Sequence, residues 1–63
     1  MEARHLNALA DALAESFTAQ QGSRDGAIAV IETARRIANV CAKYNPKFNR
    51  SRFMRKALPG IDL

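Results

Sequence analysis

The chain predicts an all-α fold: a small domain of three helices, at about residues 2–19, 24–44 and 50–58. Three observations point that way. Apolar residues return every third or fourth position through two long stretches, the mark of an amphipathic helix. Glycine and proline are confined to short breaks at Gly22–Gly26, Pro46 and Pro59–Gly60. Each internal break also ends on residues able to cap the helix that follows, Ser23 or Asp25 first and then Asn45 and Asn49.

The first helix runs from Glu2 to about Thr18 or Ala19, rich in Ala and Leu and free of Gly and Pro. Leu6, Leu9, Ala10, Leu13 and Phe17 form one apolar stripe, with Asp11 and Glu15 lying off it. Glu2 and Asp11 are expected to favour its N-terminal half through the helix dipole. The stretch QQGSRDG then breaks the helix. Gly22 is expected to end it in the left-handed conformation. Ser23 is the preferred cap of the next helix, with Asp25 in its first turn.

The second helix is the central one. At about 100° per residue, Ala27, Val30, Ile31, Ala34, Ile37, Ala38, Cys41 and Tyr44 share one broad face, flanked by Ile28 and Val40. Glu32, Arg36, Asn39 and Lys43 take the opposite side. A face that wide can meet two neighbours, and Ala34 and Ala38 allow close approach. Asn45-Pro46 stops the helix, because proline disfavours helical geometry in the residue before it. Pro46 suits the first position of a short turn capped by Asn45. Asn49 then opens the third helix, with Phe53, Met54, Ala57 and Leu58 on one side and Arg52, Arg55 and Lys56 on the other. Pro59-Gly60 closes it, and Ile61 to Leu63 form a loose or docked tail.

Sixty-three residues make a single domain. A chain this short buries only about 60% of the surface its unfolded form exposes. Cys41 and His5 are the lone residues of their kinds, so neither a disulfide framework nor a Cys/His metal set is available. Stability must come from helix packing, self-association or a partner. The first two helices offer more apolar face than a short third helix can cover, which predicts a two-fold homodimer. The longest apolar run, Ala27 to Ile31, is far short of the roughly 20 residues of a membrane span. Glu2, Asp11 and Glu15 are wrong for a signal peptide, and one free thiol fits a reducing compartment. The expected location is cytoplasmic, with no membrane partner.

No catalytic constellation emerges. Cys41 lies mid-face on an apolar stripe, which suits a small buried hydrophobe better than an exposed thiolate. His5 stands off the first stripe with no Ser or Asp set around it. Asp11 and Glu15 read as a solvated face rather than an acid/base pair. Glu2, Asp11, Glu15 and Glu32 do not converge as metal ligands. Gly22 and Gly26 lack the Lys-Ser/Thr of a phosphate loop. The expectation is a protein that is not an enzyme and takes no cofactor or metal.

Charge is the strongest functional signal. Between Thr33 and Ile61 stand eight basic residues and no acidic one, against a net charge of +4 for the whole chain. Arg36, Lys43, Lys47, Arg50, Arg52, Arg55 and Lys56 are the candidate binding residues, and a polyanion the candidate partner. Nucleic acid held through its phosphates is one reading, and a helix-turn-helix with Arg50–Lys56 as recognition helix is its sharpest form. The Asn45–Asn49 corner is long for that motif and holds no glycine. The alternative is a protein-interaction module or inhibitor docking on an acidic or apolar surface. Basic outward faces also simply keep small proteins soluble. Tyr44, Phe48 and Phe53 are expected to hold the corner by packing, with Phe53 anchoring the third helix against the second near Ile37 and Cys41 and Phe48 being the least determined. Stacking on single-stranded nucleic acid is the competing use of such rings.

The corner sequence YNPKFNRSRF resembles the ending of short helical proteins from phages and prophages, which carry NP-x-F-x-R-x-R-F, often with Asp before the first Arg. The resemblance covers about Ile37 to Phe53, and more loosely the amphipathic first helix. It implies a small accessory protein of phage type, acting in the host cytoplasm, and brings no assigned activity with it. Asn49 replaces the usual aspartate, and Arg55-Lys56 replace small residues. Both departures make this chain more basic and weigh against an acid-dependent role.

Overall fold

Three helices emerge in a computed structural model, which describes residues 3–61: α1 (Ala3–Ala19), α2 (Arg24–Tyr44) and α3 (Arg50–Ala57). The expected start of α1 at Glu2 lies outside the described residues. α3 ends one residue early, because Leu58 takes the C-cap position, its N–H donating to the Met54 carbonyl.

The connections follow from their residues, with one correction. Ser23 takes extended backbone angles and its hydroxyl accepts from the Gly26 N–H at 3.1 Å. Asp25 stands in the first turn of α2, opposite the positive end of its dipole. Gly22, however, is not left-handed: Gly60, at φ 87°, is the sole positive-φ glycine among the described residues. α1 ends instead by tightening, with Gln20 N–H bonded to Phe17 O and Gln21 N–H to Thr18 O at 3.1 and 3.2 Å. These three-residue turns satisfy the terminal carbonyls, so no left-handed residue is required. Asp11 also departs from its expected dipole role. It lies beyond the first turn, where the dipole has little reach, and pairs with Lys56.

The core is built from all three helices. Ala10, Leu13 and Phe17 of α1 meet Ala34 and Ala38 of α2 and Phe53, Met54 and Ala57 of α3, with Leu58 just beyond. Ala34, Ala38, Ala57 and Leu58 have no exposed surface at all. Three of those four are alanines, so the helix backbones come close and little volume is left to fill. Ile61 folds back onto this core, its N–H bonded to Leu58 O at 3.2 Å. The tail therefore docks at Ile61, while Asp62 and Leu63 lie outside the described residues.

Two packing expectations are corrected. Phe53 is buried as expected, but α3 lies chiefly on α1 and less on α2. Cys41 is buried without joining the cluster that holds Phe53. The turn at Pro46 swings the chain off the α2 axis and sets the start of α3 beside the first turns of α1. Tyr44 does not pack into the corner and is 76% exposed. It sits about 80° round the helix from Ala34, on the last turn of α2, where its hydroxyl stays in water.

Candidate functional site

The corner from Asn45 to Asn49 is shaped by two asparagine side chains. Asn45 Oδ1 accepts from the Lys47 N–H at 3.2 Å, and Phe48 N–H closes the turn on Asn45 O at 3.0 Å. Asn49 Oδ1 then caps α3 by accepting from the Arg52 N–H at 3.0 Å. Both asparagines satisfy backbone donors that would otherwise be left without partners at a turn and at a helix start.

All seven candidate basic residues are exposed. On α3, Arg52, Arg55 and Lys56 project away from Phe53, Met54, Ala57 and Leu58, as the helical period requires. Arg55 Nε donates back to the Ser51 carbonyl at 3.4 Å. Lys56 Nζ lies 3.4 Å from Asp11 Oδ1, tying α3 to α1. Arg50 leaves the group and crosses to α2, donating to Asn39 Oδ1 at 3.3 Å. Asn39 shares its outward face with Arg36 and Lys43, so Arg50 continues the basic face of α2. Lys43 Nζ stands 5.4 Å from the centre of the Tyr44 ring.

Among the described residues, Lys56 alone of the seven has a carboxylate within ion-pair distance. The other pair, Arg35 with Glu32 at 3.1 Å, lies within α2. Six positive side chains are thus left without local neutralisation, and exposed pairs such as Lys56–Asp11 add little to stability.

Lys47 and Arg52 share a second environment. They line a cleft of about 390 Å³ with Ala3, Leu6 and Asn7 of α1 and with Asn45, Phe48, Asn49 and Phe53. Phe48 is half-buried, packing on the core with its ring 5.4 Å from that of Phe53 at an interplanar angle of 57°. Phe48 therefore fills the corner and forms a wall of the cleft at once. Sequence reasoning missed Asn7 and Leu6 as site residues. The available signal was slight: an asparagine, which competes poorly as a helix former, set beside an alanine- and leucine-rich stripe.

Among the described residues, no group of three or more His, Cys, Asp or Glu side chains could hold a metal ion. No helix among them is long and apolar enough to cross a membrane. His5 is exposed at the start of α1. No family model matches the chain, and no curated protein or solved structure does so either.

Proposed function

We propose that this chain is a small non-catalytic accessory protein, of the phage or prophage type, that binds nucleic acid through its basic C-terminal half. The observation that carries the reading is the set of six exposed basic side chains with no carboxylate beside them among the described residues. A face of this kind gains affinity by releasing counterions from phosphates, with little regard to base sequence. The apolar core leaves these side chains free for that role. The first test is direct titration of single-stranded and duplex oligonucleotides at low salt. Binding of either supports the reading, and a protein that ignores both overturns it.

A second reading has its own support. Val40 and Tyr44 on α2 are 57% and 76% exposed, on the flank next to Arg36 and Lys43. Apolar residues bordered by positive charge suit a protein surface that is apolar with an acidic rim. Self-association through the same flank belongs to this reading too. Pull-down from a lysate with and without nuclease separates the two: a partner retained through nuclease treatment and lost on replacing Val40 favours the protein surface.

A further inference from the structure

Resting on the nucleic-acid reading, we infer that the cleft at the corner holds one unpaired nucleotide, its phosphate on Lys47 and Arg52 and its base against Phe48. The chemistry of the lining argues for it. Lysine and arginine offer donors and no acceptor. Asn45 and Asn49 have already committed their carbonyl oxygens to the Lys47 and Arg52 backbone N–H groups. Each keeps its amide NH2 for donation, beside the second lone pair of that oxygen. Among the described residues, no carboxylate lines the cleft. The charged side chains described there, Lys47 and Arg52, are both positive, so the cleft suits an occupant that carries negative charge and accepts hydrogen bonds.

Phosphate alone does not explain the rest of the wall. Phe48 presents an aromatic ring in the same cleft, held in place by its contact with Phe53. Such rings take nucleobases by stacking, whatever the base. The volume, about 390 Å³, falls within the roughly 300–1,000 Å³ range of organic-ligand sites. It is more than one phosphate or one acidic side chain fills. A duplex keeps its bases stacked inside and offers only phosphates to such a cleft, whereas a single strand can turn a base outward. The corner is also preformed, since the capped asparagines and the tilted ring pair need no reordering on binding.

The test is fluorescence anisotropy at low salt with a labelled pyrimidine strand of roughly 12 nucleotides and a duplex of equal length. Wild-type protein should bind the single strand about tenfold more tightly than the duplex. Phe48→Leu keeps an apolar side chain but removes the stacking face. It should erase that preference, weakening the single strand far more than the duplex. Asn7→Glu sets a carboxylate at the cleft from the exposed side of α1, and should weaken single-strand binding with the melting curve unaltered. It carries the test if Phe48→Leu fails to fold. Equal affinity of wild type for the two oligonucleotides, or a preference that survives both variants, overturns the cleft and spares the broader reading. Binding of neither overturns both. An acidic peptide that binds wild type but not Phe48→Leu, with both oligonucleotides ignored, would assign the cleft to a protein partner and overturn the inference.

Discussion

At the scale of the residue, Phe53 does most to hold the corner. It is 5% exposed, packs with α1 residues in the shared core, and steadies Phe48 by ring contact. Phe53→Ala should cost about 3–5 kcal/mol, which in so small a domain removes most of the folded population. A denaturation curve decides it, since an unchanged midpoint would mean that α3 is not docked. Phe53 was legible in the sequence because it lies on the apolar side of a short period. Tyr44 was misread for a related reason. Angular position places it near the edge of the apolar face, but no local pattern says where the neighbouring helix stops covering that face.

At the scale of the element, the caps were legible and the helix ends too, to within a residue, but the way α1 closes was not. Ser23 and Asn49 each stand before an amphipathic run and cap it by the expected side-chain bond. Gly22 suggested a left-handed ending, whereas α1 closes through three-residue turns. Gly26 is the clearest place to test the local reading. It lies inside the first turn of α2, where glycine costs backbone entropy. A methyl group there would overlap the Gln20 side chain from its amide back to Cγ, so that exposed, flexible side chain must move aside. Gly26→Ala keeps the N–H that Ser23 accepts and should stabilise the protein by about 0.5–1 kcal/mol. In thermal melts the midpoint should rise by a few degrees, on the order of 4–8 °C per kcal/mol. A fall would show that Gln20 is held where it stands. Which helix α3 chooses was also beyond the sequence. α1 and α2 both carry apolar stripes, and the choice depends on the direction the chain takes after Pro46.

At the scale of the whole molecule, the two proposed modes of association respond oppositely to salt. The exposed flank of α2, with Val40 and Tyr44, is bordered by Arg36 and Lys43 in both copies of any two-fold dimer. Those like charges repel, and salt screens them. Self-association should therefore strengthen as salt rises, and Val40→Glu should abolish it. Sedimentation at micromolar concentration checks this; a species of 6.9 kDa at every salt concentration would leave the chain a monomer. The cleft was illegible at this scale for a plain reason. Asn7 and Leu6 are far in sequence from Lys47 and Arg52, and the fold alone brings them together.

The central claim is that the basic face binds phosphates and does not support the fold. Its most direct test is the slope of log K against log salt for oligonucleotide binding, measured for wild type and for Arg52→Gln/Arg55→Gln/Lys56→Gln. Melting of the triple variant should stay nearly unchanged, because exposed charge contacts contribute little to stability. Lys56 already shares its charge with Asp11 at 3.4 Å. The slope should therefore shrink by about two to three phosphate contacts, each near 0.9 of a slope unit on duplex DNA. A triple variant that binds with the affinity and slope of wild type would contradict the account and leave the basic run a solvated face.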